Sequence, residues 1–230
     1  MKYLFGLSTF ILLTFIPLGM DAQSPVSTPD ETYGLDPLLH NGSFYNYHVP
    51  FDTEGTPFFS GPDYVDGSVR IRGVSYPHLL LKYDVVNQVL LFQYQNATGG
   101  AQHIVLSDAW LESFDLGATH FELFVSQDTL KQIYQVIGQG STRVFYGWSK
   151  ERELDTHTGS SHFMFSKLKK KTYLFSNGKL QAYKNNKTWT SLFDPGVQSL
   201  IKKYLAERHI NVKTASDQVM AALITYCNSL

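Results

Sequence analysis

Between Ser68 and about Thr190 the chain alternates short runs of β-branched and aromatic residues with turn residues. Period two, which sends successive side chains to opposite faces of a strand, shows in Val69, Ile71 and Val74 against Arg70 and Arg72. It shows again in Leu79, Leu81, Tyr83 and Val85 against His78, Lys82 and Asp84. Further strands are expected from Val89 to Gln95, His103 to Leu106, Trp110 to Asp115, His120 to Val125, Leu130 to Ile137, Arg143 to Trp148, Ser161 to Leu168, Lys171 to Phe175 and Lys179 to Tyr183. Most connections are too short for crossover helices, so neighbouring strands are expected to run antiparallel. The sharpest turn is Ser176-Asn177-Gly178-Lys179, where Asn-Gly readily supplies the two positive φ angles of a type I′ hairpin; Asn87-Gln88 and Asn185-Asn186 are weaker versions. Leu130 to Ile137 also fits a short helix through Leu130, Ile133 and Ile137.

After Asp194 the period becomes helical. Asp194 can cap a helix that has Pro195 at its first position and Val197, Leu200, Ile201, Tyr204 and Leu205 as one stripe. A second helix starts near Ser216-Asp217 and carries Val219, Met220, Leu223, Ile224 and Cys227. The expected fold is therefore mainly β, an antiparallel sandwich or partly open barrel, with a C-terminal α-helical hairpin. An outer-membrane barrel is disfavoured by strands shorter than about ten residues and by the helical tail.

At the N-terminus Lys2 precedes an apolar run from Leu4 to Leu18, followed by Gly19, Met20, Asp21 and Ala22. This reads as a secretory signal peptide cut after Ala22, with an uncleaved anchor as the alternative because Met20 sits where a smaller residue is preferred. The expected organisation is a signal peptide over 1–22, an irregular aromatic and Pro-rich segment over 23–67, an antiparallel β domain over 68–190 and a helical hairpin packed on it over 191–230. Export places the chain in the periplasm, at the cell surface or outside the cell. With 16 Phe, 14 Tyr and 3 Trp the chain has ample surface to bury, and with one cysteine it builds no disulfide scaffold.

The stretch Gly73-Val74-Ser75-Tyr76, followed by Leu81-Lys82-Tyr83-Asp84 and Val89-Leu90, resembles an uncharacterised family of exported β-rich proteins of Bacteroidetes-type bacteria. Similar features continue in Phe114, Phe121, Leu192-Phe193, Ile201-Lys202-Lys203 and Tyr226-Cys227-Asn228. The resemblance implies export and a β-rich fold and carries no catalytic residue. Members tend to have a second Tyr where this chain has Cys227, which detaches the thiol from any shared role.

No G-x-S-x-G elbow, H-E-x-x-H helix, P-loop or dinucleotide fingerprint is present, and Gly138-Gln139-Gly140-Ser141 reads as a hairpin loop. The candidate metal ligands are Asp155, His157 and His162, two imidazoles and a carboxylate in a Ser/Thr/Gly-rich loop; the plainer reading is a solvated loop. Trp110, Trp148 and Trp189 could line a surface that stacks on sugar rings or peptides, although sheets also bury such rings. His40 and His48 could approach Asp36 or Asp52, and Cys227 reads as a small core residue. Sequons lie at Asn41, Asn96 and Asn186, and Asp128-Thr129-Leu130 matches a bacterial O-glycosylation acceptor. Lys167, Lys169, Lys170 and Lys171 form a basic cluster that reads as a solvated turn, or as an attraction to anionic lipid headgroups or an acidic partner.

The expected function is that of a non-enzymatic cell-envelope protein acting by binding or assembly, with an envelope protein or a glycan as partner. The alternative is an exported hydrolase of glycans or peptides that uses carboxylates or the Asp155/His157/His162 loop. No cofactor and no nucleic acid is expected, no membrane span after signal cleavage, and the sequence sets no oligomeric state. The net charge of −1 conceals two opposed segments: residues 23–140 hold four Lys and Arg against thirteen Asp and Glu, whereas residues 141–230 hold fourteen against six. These segments are expected to pack as complements in one sheet system, the alternative being a dipolar surface shown to partners.

Overall fold

The computed structural model describes residues 36–96, 98–125, 131–155 and 162–230. Eleven strands form one antiparallel sheet: β1 (Ser43–Phe44), β2 (Val65–Ile71), β3 (Val74–Asp84), β4 (Val89–Gln95), β5 (Ala101–Val105), β6 (Leu111–Leu116), β7 (Thr119–Val125), β8 (Lys131–Ile137), β9 (Arg143–Ser149), β12 (Lys169–Ser176) and β13 (Lys179–Ala182). Two more, β10 (Arg152–Asp155) and β11 (His162–Phe165), pair as a separate hairpin. The order β1-β5-β4-β3-β2-β6-β7-β8-β9-β12-β13 leaves β1 and β13 as the ends of an open sheet. Three helices follow, α1 (Asn186–Thr190), α2 (Pro195–Glu207) and α3 (Asp217–Asn228). The chain is thus mainly β with a helical C-terminal region, and no described helix is long and apolar enough to cross a membrane.

Turn chemistry sets the register. Asn177 and Gly178, with φ of 51° and 74°, close β12 onto β13 with Ser176 opposite Lys179, as the Asn-Gly pair requires. A second two-residue turn at Arg72-Gly73, φ 48° and 81°, ends β2 at Ile71, so Val74 belongs to the next strand rather than to the run Val69, Ile71, Val74. His78, at φ 58°, lies where the pairing of β2 with β3 shifts between Gly67 and Val69. That irregularity lets Tyr76 and Leu79, three residues apart, both point into the core. Asn185 caps α1 instead of turning a hairpin: its side chain accepts from the Thr188 N–H in a capping box.

Between the end strands β1 and β13, one face of the sheet is buried. On β2–β8 it carries Val69, Tyr76, Leu81, Phe92, Phe114, Phe121 and Ile133, covered by Leu38, Leu39 and Phe59 from the N-terminal segment. That segment is irregular apart from the edge strand β1, and β2 begins at Val65, ahead of the expected boundary. Further along, Ile137, Val144, Tyr146 and Leu174 pack against Trp189, Ile201, Leu205, Met220, Leu223 and Ile224 of the helices. Asn186 ties the helices together, its amide donating to the Ile210 carbonyl (2.6 Å) and accepting from the Val212 N–H (2.9 Å).

β8 is a strand and not a short helix. Its Tyr134 and Val136 face the opposite side, where they pack with Phe124, Phe145, Tyr173 and Phe175 in a second aromatic layer. Lys169, Lys170 and Lys171 lie in strand β12, not in a solvated turn.

Candidate binding cleft at the end of the sheet

The outer face of β6, β7 and β9 holds a chain of charges. His120 and Glu122, two apart on β7, project to the same side, and the register brings Asp115 of β6 opposite His120. His120 Nδ1 lies 2.6 Å from Asp115 Oδ1, and its Nε2 lies 3.6 Å from Glu122 Oε1. Arg143, the first residue of β9, donates from Nη1 to the same Glu122 oxygen at 2.6 Å, and its guanidinium sits 5.2 Å from the ring centroids of both Phe145 and Phe175. Ser68 Oγ donates to the other Asp115 oxygen. The array runs Ser68, Asp115, His120, Glu122, Arg143.

Its titration follows from those contacts. The close approach of the Glu122 carboxylate, with further support from the hydrogen bond to Asp115, raises the His120 pKa against the opposing effect of burial. Glu122 is held below the usual carboxylate range, first by His120 and then by Arg143. The His120 contribution to stability is therefore complete below its unfolded pKa of about 6.5 and is lost as pH rises through the higher folded value. The Glu122 contribution is present above its unfolded value and is lost as pH falls through the lower folded one. His120→Gln is expected to cost stability at pH 5.5 and to be close to neutral at pH 9, by no more than about 1 kcal/mol because the groups are half-exposed. Urea unfolding at the two pH values checks this; an equal cost at both would refute it.

Beside this array a cleft of about 920 Å³ opens between the outer edge of β7–β9 and the C-terminal end of α3, lined by His120, Glu122, Arg143, Gln139, Thr225 and Ser229 among others. The β8–β9 turn forms its floor and is pinned by Asn228, whose Nδ2 donates to the Gln139 and Thr142 carbonyls (2.8 and 2.9 Å) while its Oδ1 accepts from the Thr142 N–H (3.1 Å). The loop Gly138-Gln139-Gly140-Ser141 is thus a hairpin connection, as expected, and also the floor of the cleft.

The residues nominated from sequence fall elsewhere. Asp155 and His162 face each other across the β10–β11 hairpin, and His162 Nε2 lies 3.5 Å from Glu54 Oε2. His157 lies outside the described residues, as do the signal segment and Asp128-Thr129-Leu130; among the described residues no group of three or more potential ligands converges. Trp189 is fully buried between Tyr183 and Phe193, so its ring has no face for a ligand. Trp148 packs on Phe59 and donates its indole N–H to Gln135 at 2.8 Å, while Trp110 lies beneath the Arg72 guanidinium. No ring contact joins one tryptophan to another, so they do not make one stacking surface. Cys227 is buried, which pushes its thiol up to about 12 and leaves it unreactive at neutral pH. The Asn186 amide is engaged on both sides, which leaves that sequon no free nitrogen.

The charged array escaped the sequence reading because Asp115 and Arg143 reach β7 only through register. The one local signal was His-x-Glu on a strand, two polar groups with period two in an otherwise apolar run. Comparison of the chain with family models, with curated proteins and with solved structures finds no match.

Proposed function

We propose that the protein is an exported, non-enzymatic binding protein of the cell envelope, taking a hydroxyl-rich ligand of the glycan class in the cleft between β7–β9 and α3. Export rests on the N-terminal Lys2 and the apolar run from Leu4 to Leu18. The single observation that carries the binding reading is the composition of the cleft. Hydroxyls of Thr225 and Ser229, the amide of Gln139, the His120 imidazole and the Arg143 guanidinium border an open groove in which the one lining carboxylate, Glu122, is already engaged by both His120 and Arg143. Donors and acceptors at fixed positions suit hydroxyl recognition. A hydrolase acid needs a carboxyl kept protonated near neutral pH, whereas Glu122 is shifted the opposite way. The hydrolase reading therefore draws no support from this cleft.

The mature protein, incubated with soluble oligosaccharides released from envelope polysaccharide, is expected to bind saturably without growth of reducing ends. Arg143→Gln should weaken binding about tenfold, the scale of one charge-assisted contact. Release of reducing ends by wild type but not by a Glu122→Gln variant would overturn the reading in favour of hydrolysis.

A further inference from the structure

The basic half of the chain gathers part of its charge at one place. The β12–β13 ladder begins only at Tyr173, opposite Ala182, so the first residues of β12 have β9 on one side and an open edge on the other. A cleft of about 630 Å³ wraps that edge, and its lining includes four lysines, Lys170, Lys171, Lys184 and Lys213, and no carboxylate.

Among the described residues these four have no carboxylate partner, and neither have Lys167, Lys179, Lys187 and Lys202; what sets the four apart is that they gather around one hollow. Lys169, their neighbour on β12, lies 2.8 Å from Glu151 and 3.4 Å from Glu153; Lys131 pairs with Asp108 and Lys203 with Glu207. Lys82 and Lys150 donate to main-chain carbonyls. None of the four cleft lysines has a carboxylate within ion-pair distance; Lys170 instead holds its ammonium 4.3 Å over the Tyr146 ring. Lysines on an edge strand also discourage pairing with other chains, and that accounts for Lys170 and Lys171. It does not account for Lys184, beyond the end of β13, or for Lys213, from the loop joining α2 to α3. Those two arrive from distant points of the chain at the same concavity.

Four unneutralised cations around one hollow concentrate positive potential there. We infer that this cleft is a second site, independent of the one at the end of the sheet, and that its ligand is an anionic oligosaccharide bearing carboxylate or phosphate groups. The half-buried ring of Tyr173 in the wall offers a face for a sugar, and the surrounding ammonium groups take the anions. A membrane surface fits less well, because the lysines rim a hollow and none of the large exposed apolar side chains, such as Phe44, Phe51, Leu154 or Phe163, lines it.

The test is titration of the mature protein with an oligogalacturonate and a phosphorylated mannan oligosaccharide, against neutral maltooligosaccharide, poly-glutamate and phosphatidylglycerol vesicles, at physiological ionic strength. Binding of one or both anionic saccharides and weak or no binding of the other three is expected; which saccharide binds identifies the anion. Lys171→Gln with Lys184→Gln, both exposed, should lower that affinity about tenfold. Lys202→Gln with Lys203→Gln on α2, the same change in net charge, should leave it within about twofold. Equal losses from the two pairs, equal binding of poly-glutamate, binding of vesicles in place of saccharide, or no binding would each overturn the assignment. Arg143→Gln should not alter this affinity, which separates the outcome from that of the first cleft.

Discussion

Gly138→Ala is expected to destabilise the protein by about 3 kcal/mol, far more than Gly178→Ala, although both glycines have positive φ. Gly178 turns β12 into β13 at φ 74° with open space around it, so an added methyl meets only backbone strain, about 1 kcal/mol. Gly138 turns β8 toward β9 at φ 86°, and a Cβ there would lie 2.4 Å from Ile224 Cγ2 and 3.0 Å from Ile224 Cβ. Ile224 is fully buried on α3 and β-branched, so its side chain has little rotameric freedom with which to withdraw. The helix itself must shift, and α3 is the element that packs on β8 and β9. A double-mutant cycle with Ile224→Ala isolates the contact: the two substitutions together should cost at least 1 kcal/mol less than the sum of their separate costs. Equal destabilisation by Gly138→Ala and Gly178→Ala in denaturant unfolding would remove the argument. Because the same turn floors the larger cleft, Gly138→Ala should also disturb ligand binding there.

That glycine looked like ordinary punctuation in the sequence, which shows where sequence reasoning stopped. Strand identity was legible wherever one face is buried and the other wet, as in Val69 and Ile71 against Arg70. It became ambiguous in β8, whose Ile133 and Ile137 face the core while Tyr134 and Val136 pack in the outer aromatic layer. A strand buried on both sides loses its period of two, and the remaining apolar spacing mimics a helix. β10 gave no signal for the opposite reason: Arg152, Glu153 and Leu154 are all exposed, and its pairing with β11 rests on backbone bonds. The Arg72-Gly73 turn was hidden because apolar residues resume at Val74, which is itself exposed.

The division of charge was legible as arithmetic but not as geometry. Strands from both halves do share one sheet, as expected. Yet among the described residues Glu122 with Arg143 and Glu54 with His162 are the ion pairs that cross from one half to the other; the remaining pairs close within their own half. Complementarity of sequence segments therefore becomes complementarity of packing in only two places. Much of the positive charge of the second half, including the four cleft lysines, is left to the surface.

Trp189→Ala is expected to be the most destabilising single truncation among the tryptophans, by about 4 kcal/mol, and Trp189→Phe to cost much less, about 1 to 2 kcal/mol. The ring is fully buried, edge-on to Tyr183 at 4.8 Å and tilted against Phe193 at 5.5 Å, where α1, α2 and the end of the sheet meet. Alanine leaves a cavity that Leu205 and Val212 cannot fill without moving the helical hairpin. Phenylalanine keeps most of the apolar volume and deletes an indole N–H that is buried without a hydrogen-bond partner, so no favourable polar contact is lost with it. Trp110→Ala, at a half-exposed position under Arg72, should cost about 1 kcal/mol. The order Ala at 189, then Phe at 189, then Ala at 110, read from denaturant midpoints with unchanged m-values, checks this placement. If Trp189→Ala instead left stability intact and weakened saccharide binding, the ring would belong to a recognition surface and the core as described would be wrong.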